Sequence, residues 1–202
     1  MLIIKSNAQI SIGLNGGFGS GIDLGVAING KNLSTNNGFG GGLNGRYWLN
    51  KKMAVGINIS YFSFGVKDVP SGITSNYSVT PISLAFDYSF KDKGFKPFAG
   101  LEFGYLIGSW IAKYDENYGG INFPAFDGSY SNNDLFIAPT VGATYEINKN
   151  FEILLNAKYM FGYNGGKKDI KYSNSNLPST QVVTVASSFV NVNLGISYKF
   201  GN

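Results

Sequence analysis

Apolar residues recur at every second position in eight separate stretches of the chain. Between Met53 and Tyr61 the odd positions are apolar, whereas the even positions are Ala, Gly, Asn and Ser. Because successive side chains of a β-strand point to opposite faces, this spacing predicts a strand with one apolar and one polar face. The other stretches are residues 10–14, 39–49, 82–88, 101–111, 135–147, 151–161 and 190–200. The pattern therefore predicts an all-β protein with eight strands.

The connections between these stretches alternate in length. The short ones are residues 50–52, 91–94 and 148–150, and the long, polar ones are about 20–37, 66–76, 114–132 and 164–180. Short turns at one end and long loops at the other are typical of transmembrane barrels. We therefore predict an eight-stranded antiparallel up-and-down transmembrane β-barrel.

One stretch contains an irregularity. The apolar parity changes from Tyr77 and Val79 to Ile82 and Leu84, and Pro81 lies at the change. A β-bulge inserts one residue and tolerates a proline, so we expect a bulge at this position.

The composition indicates which face of the strands meets lipid. Only 14% of the residues are charged and 15% are aromatic, yet no run approaches the ~20 apolar residues of a membrane-spanning helix. The apolar face carries more bulky side chains than the narrow interior of an eight-stranded barrel can hold, and the polar face consists mostly of small residues. We therefore predict that the apolar face points into lipid. A soluble lipocalin-like barrel, with the opposite arrangement, is a more distant alternative.

Aromatic residues on the apolar face concentrate near the strand ends, as membrane interfaces favour. The predicted belts contain Tyr47, Tyr88, Tyr145, Phe151, Tyr198 and Phe200 near the short turns, and Tyr61 and Phe161 near the long loops.

Short motifs add a family resemblance. The closing segment GISYKF at 195–200 resembles the last strand of outer-membrane barrels, whose aromatic end serves as an assembly signal, and residues 81–88 and 96–101 are similar to the middle of small barrels of the OmpA/OmpX/opacity-like superfamily. The resemblance implies an integral protein of the Gram-negative outer membrane, exported through the periplasm and inserted by the barrel assembly machinery. It also implies contact with outer-membrane lipid and lipopolysaccharide.

The first residues look like the end of a secretion signal. Ser6 and Ala8 are small residues at the two positions that a signal peptidase reads. We interpret residues 1–8 as a signal-peptide remnant or a disordered tail, and residues 9–202 as a single barrel domain.

Two residue types are missing from the chain. There is no cysteine and no histidine, which excludes disulfides, thiolate nucleophiles and histidine-assisted serine catalysis. The lysines are scattered rather than clustered on one face, which argues against nucleic-acid binding. We predict a protein that is not an enzyme and has no cofactor or metal.

The inward parity predicts two zones in the lumen. The half nearer the short turns contains charged residues that should pair, as either a polar plug or an ion-selective constriction. These are Arg46, Asp87, Glu102, Glu146, Glu152, Lys158 and Lys199. The half nearer the long loops is apolar and forms either a pocket for a small apolar ligand or a self-packed collar. Its residues are Phe62, Phe64, Leu106, Trp110, Phe136, Met160, Val185 and Phe189.

These features favour a structural or surface-interaction role of the adhesion type, exerted through long extracellular loops by a monomer with a plugged lumen. A basic loop segment, residues 165–171, could contact phosphates of lipopolysaccharide, and an extracellular surface partner is expected. The alternative is transport, either as a narrow porin-like channel or as a carrier of small apolar molecules through the upper pocket.

Overall fold

Eight long strands dominate the computed structural model. The structure describes residues 9–21, 26–28, 31–33, 35–67, 73–114, 127–163, 168–169, 171–172, 182–183 and 188–200, so residues 1–8 lie outside it. The strands are β1 (Gln9–Gly21), β2 (Thr35–Trp48), β3 (Met53–Val66), β4 (Ile73–Ser89), β5 (Phe95–Tyr114), β6 (Asp127–Glu146), β7 (Phe151–Tyr163) and β8 (Phe189–Phe200). Within the described residues, no helix is long and apolar enough to cross a membrane.

The strands form a closed barrel. Each pairs antiparallel with its neighbour in the sequence, and β8 pairs with β1 along the whole of the last strand, from Phe189 opposite Gly21 to Phe200 opposite Ile10. This confirms the all-β, eight-stranded, up-and-down fold. The turns β2–β3, β4–β5 and β6–β7 and the start of β1 lie at one end, here called the short-turn end. The opposite end is the long-loop end.

Short additional strands accompany the barrel. Val26–Ile28 pairs with Lys31–Leu33, and Lys168–Asp169 pairs with Val182–Val183. Lys171–Tyr172 pairs with β6 near its beginning. The strands β4 and β6 begin at Ile73 and Asp127, so parts of the predicted long loops belong to strands that project beyond their neighbours.

The strands of the barrel are staggered, so a row of paired residues does not close on itself after one circuit of the barrel. A path that starts at Tyr88 on β4 and follows directly opposed residues once around the barrel returns to β4 at Ser78, ten residues away. The path runs through Tyr88, Ala99, Val141, Ala157, Val192, Phe18, Phe39, Ser63 and Ser78. A barrel of eight strands wound in this way has strands tilted by about 40° to its axis.

The bulge expected at Pro81 is absent. Pairing of β4 with β5 is continuous through Pro81, and pairing with β3 stops after Ile59–Ile82 and resumes at Phe62–Val79 in the same register. The missing N–H of proline therefore interrupts one ladder without inserting a residue.

The parity change at Pro81 has another cause. Both faces of the barrel change character near the long-loop end. Tyr77 and Val79 stay on the inward face and are fully buried, while the outward positions there become polar, as at Ser63, Asn76 and Ser78. Below this level the outward face is apolar and the inward face is mostly polar, with Trp48, Phe98 and Leu154 as apolar exceptions. The apolar residues therefore change from odd to even positions because the surroundings of each face change along the strand. The register of the strand itself does not change.

Candidate functional site

The lumen at the short-turn end holds a compact set of four charged residues, here called the basal cluster: Lys96, Glu146, Glu152 and Lys199. The Lys199 ammonium lies 2.6 Å from Glu146 Oε1, and Lys96 Nζ lies 3.2 Å from the same oxygen. Both ammonium groups also lie within 3.7 Å of Glu152, whose side chain is fully buried. Two cations and two anions thus neutralise each other. The ring of Trp48 covers Lys96 at 4.9 Å.

Two further ion pairs lie deeper in the barrel. Arg46 Nε donates to Asp87 Oδ2 at 2.7 Å, and the guanidinium lies 5.6 Å from the ring centre of Phe98. Lys158 Nζ donates to Glu102 at 2.7 Å. Ser83 donates to the other oxygen of that carboxylate at 2.8 Å. Each of these pairs is also neutral, so the charges described in this half of the lumen balance.

Amide side chains lie beside the Lys158–Glu102 pair, at about the same level of the lumen. Asn193 donates to Asn156 at 3.0 Å and to Asn191 at 2.7 Å. Asn191 in turn approaches the sulfur of Met160 at 3.5 Å. All three asparagines are buried, and their bonds join β7 to β8 across the inside of the wall. Asn191 lies directly opposite Lys158 in the register, so these amides border the Lys158–Glu102 pair on one side and, through Met160, the apolar side chains of the long-loop end on the other.

An apolar cap fills the lumen at the long-loop end. The rings of Phe62, Phe64 and Phe189 pack together with centroid separations of 5.5 to 6.3 Å. The cap consists of Phe62, Phe64, Tyr77, Val79, Leu106, Trp110, Phe136, Met160 and Phe189, each at most 2% exposed. Trp110 satisfies its indole N–H by donating to Ser75 Oγ at 2.9 Å.

Glycines on neighbouring strands make room for the cap. A Cβ at Gly38 would lie 2.6 Å from a ring carbon of Phe64, and one at Gly19 would lie 2.9 Å from another. A Cβ at Gly40 would collide with Phe62 and with a backbone oxygen. The rings therefore lie directly on the backbones of β1 and β2, which leaves the cap densely packed.

The structure brings together most of the residues singled out from the sequence. The seven predicted lumen charges and seven of the eight predicted pocket residues face inward, while Val185 lies outside the described residues. Lys96, Tyr77 and Val79 were missed. Lys96 could have been found by extending the alternation from Glu102 backwards through six residues.

The residues of the predicted aromatic belts all point outward. Their exposed fractions lie between 38% for Tyr198 and 54% for Tyr145. Adjacent rings of the lower group, Phe151, Tyr198 and Phe200, are in edge contact at 4.7 to 5.1 Å. Within the described strands, no charged residue lies on the outward face between the two belts.

The chemistry available in the lumen is limited. The part of the chain that the structure describes contains no group of three or more metal-binding side chains suited to a metal ion. Four of the lumen carboxylates lie within 3.7 Å of an ammonium or guanidinium group: Asp87, Glu102, Glu146 and Glu152. The arrangement can hold strands together and exclude water.

Comparisons with known proteins agree on the fold. No family model and no curated protein sequence matches the chain. The structure is similar to the outer membrane protein OprG of Pseudomonas aeruginosa, with a TM-score of 0.65 and 17% identity over 98% of both chains. A major outer membrane protein of Thermus thermophilus gives a TM-score of 0.62 at 16% identity, covering 96% of this chain and 99% of that one.

A third likeness is to Ail, the attachment invasion locus protein of Yersinia pestis, solved in complex with the heparin analogue sucrose octasulfate. Its TM-score is 0.53 at 18% identity, covering 96% of this chain and 99% of that one. At these identities the likeness concerns the fold alone. The chain has the fold of small outer-membrane β-barrel proteins, which confirms the resemblance noted in its sequence at that level.

Proposed function

We propose that this protein is an integral outer-membrane barrel with a closed lumen that acts through its long-loop end, in a structural or surface-interaction role of the adhesion type. The observation that carries the proposal is the burial of the lumen-facing side chains. From Lys199 at 3% exposed, through Asn193 at 3%, to Phe189 at 0%, one strand has buried groups at every level. A water-filled channel would leave such side chains accessible, so the packing supports a plug.

The outer surface supports the membrane placement. Each of the eight strands presents large apolar side chains on its outer face that are 38% exposed or more. Leu14, Leu84, Val141 and Leu194, for example, are about 60% exposed. Such a continuous surface would be unfavourable in water at roughly 25 cal/mol per Å². The apolar band of outer-membrane barrels is about 25 Å tall and flanked by aromatic girdles. The outward residues between the two belts have this composition.

The long-loop end supports a role at the cell surface. Strands β5 and β6 have 20 residues each, whereas about 9–11 tilted residues cross a bilayer. The hairpin therefore extends well past the apolar band. Among the similar structures is Ail, an attachment invasion locus protein, and this likeness supports the proposal of an adhesion-type role for a chain of this fold.

Planar-bilayer conductance of the refolded protein tests the closed lumen. A heat-dependent shift on a gel establishes folding first. We expect no discrete openings, because ion pairs, amides and the apolar cap fill the lumen. Discrete openings whose amplitude changes in Glu102→Gln or Lys158→Gln would overturn the plug and favour the channel.

Cysteine labelling on intact cells tests the membrane placement and orientation. The chain has no cysteine, so a single one can be introduced without interference. We expect Asn117→Cys, between β5 and β6, to react with a membrane-impermeant maleimide. Lys51→Cys, in a short turn, should react only after the outer membrane is permeabilised. Equal labelling of both variants on intact cells would contradict the placement.

A further inference from the structure

The short turns carry several positively charged side chains that take no part in the ion pairs of the lumen. Five exposed lysines lie in these turns, and Asp92 is the one acidic residue among turn residues 49–52, 90–94 and 147–150. The ion pairs formed by the described residues involve none of these lysines. The lysine rim, as we call it, consists of Lys51, Lys52, Lys91, Lys93 and Lys149.

Two of the turns hold their lysines in the same way. Asn50 Oδ1 accepts the backbone N–H groups of Lys52 and Met53 at 2.8 and 2.9 Å. Asn148 Oδ1 accepts those of Asn150 and Phe151 at 2.8 and 2.9 Å. Side-chain bonds of this kind fix the backbone of a tight turn. The lysine Cα atoms therefore stay close to the strand ends.

Each turn is bordered by apolar side chains on the outer face. Phe90 and Phe95, on either side of the β4–β5 turn, are 58% and 56% exposed, and Leu49 and Ile147 are about half exposed. A lysine side chain can lie along such a surface and extend its ammonium group to the polar side of it. The ammonium groups are thus placed just beyond the edge of the apolar band.

We propose that the lysine rim binds the phosphodiester groups of anionic phospholipids in the leaflet at the short-turn end. This inference rests on the proposed membrane placement. The three turns join β2–β3, β4–β5 and β6–β7, so they lie at three of the four places around this end of the barrel, and the ends of β1 and β8 lie at the fourth. Charge distributed over most of the circumference at headgroup level suits the surrounding lipids, whereas a polymer such as the cell wall would bind best to charge gathered on one side.

The size of the effect follows from surface electrostatics. A lysine near an anionic membrane surface contributes about a fivefold gain in association at low salt, and the gain falls within a Debye length. A lipid beside the barrel meets at most about one rim lysine at a time, and the lipids of the opposite leaflet meet none, which lowers the average over all the lipids around the barrel. The rim should therefore favour an anionic lipid by about three- to fivefold over a zwitterionic one.

Spin-labelled lipids measure this preference directly. The folded protein is reconstituted in phosphatidylcholine vesicles with spin-labelled phosphatidylglycerol or phosphatidylcholine, and the motionally restricted fraction of each is compared. We expect the stated preference in the native protein at low salt. The variant with all five rim lysines changed to Gln should lose it, as should the native protein in about 0.5 M salt. The matched control also changes five lysines to Gln and should keep the preference; these lie toward the long-loop end and are Lys31, Lys67, Lys113, Lys168 and Lys171.

The possible outcomes are distinct. An unchanged preference in the five-lysine variant, or no preference in the native protein, overturns the lysine rim and leaves the barrel in the membrane. Loss of the preference when soluble peptidoglycan fragments are added, with binding of those fragments through the same lysines, would assign the rim to the cell wall instead. Failure to insert into vesicles of phosphatidylcholine alone would contradict the membrane placement itself.

Discussion

An arginine on the outward face of β1 should destabilise the barrel according to its depth. The five outward positions of this strand are Ile10, Ile12, Leu14, Gly16 and Phe18, so Leu14 lies in the middle. With a tilt of about 40°, two residues along the strand correspond to about 5 Å of height. Ile10 therefore lies about 10 Å from Leu14, next to the short turns.

The magnitude follows from this depth. An arginine facing lipid costs about 2–4 kcal/mol at the bilayer midplane and about 0–1 kcal/mol near its interfaces. We therefore expect Leu14→Arg to lower the free energy of unfolding by about 2–4 kcal/mol and Ile10→Arg by less than about 1 kcal/mol. Both side chains point away from the barrel interior and are 62% and 48% exposed when no lipid is present. Packing inside the protein therefore does not explain a difference in stability between the two variants.

Reversible urea unfolding in lipid vesicles provides the measurement, with tryptophan fluorescence and the gel shift as independent probes. The native protein and the two variants are compared at the same ratio of lipid to protein. If both variants were as stable as the native protein, the outward face would not meet lipid. If Ile10→Arg cost as much as Leu14→Arg, the position of the band derived from the strand registers would be wrong.

Two further predictions concern the lumen. Asp87→Asn removes the charge that pairs with Arg46 without changing side-chain volume, and should cost about 3–5 kcal/mol in vesicle unfolding experiments because it leaves a buried guanidinium without its partner. The exposed Asp92→Asn is its control and should leave the urea midpoint unchanged. Gly40→Ala introduces a methyl group against a backbone oxygen and an aromatic ring, and should cost about 1–3 kcal/mol. Its control is the outward Gly45→Ala, which has open space; equal midpoints for these two variants would contradict the packing described for the cap.

The alternation of the sequence was sufficient to predict the barrel. A period of two identifies strands whatever their depth, and composition distinguished the lipid-facing side. Strand boundaries were less predictable. Near the long-loop end the outward residues turn polar, so segments such as Ser75–Asn76 resemble a loop although they belong to β4.

The sequence predicted most of the residues that face the lumen, but it did not predict which of them pair with each other. Tyr77 and Val79 were missed because the bulge expected at Pro81 would have turned them to the outward face, whereas the strand continues without one. The pairing of Lys199 with Glu146 joins β8 to β6 across an intervening strand. Such a contact depends on how far neighbouring strands are staggered, and alternation within each strand carries no information on the stagger between strands.

The winding of the ladder has a consequence for how the barrel closes. The first and last strands meet last in any closure that follows the chain, and a slip of one residue between them would turn every side chain of β1 to the wrong face. A slip of two residues would keep the faces but change the circumference and the tilt. Ser197 on β8 donates to Asn44 on β2 across Gly13 of β1, at 3.5 Å. A contact that crosses the β8–β1 pairing in this way can form in one register only. The side chains in the narrow lumen therefore also favour the correct closure of the barrel over a shifted one.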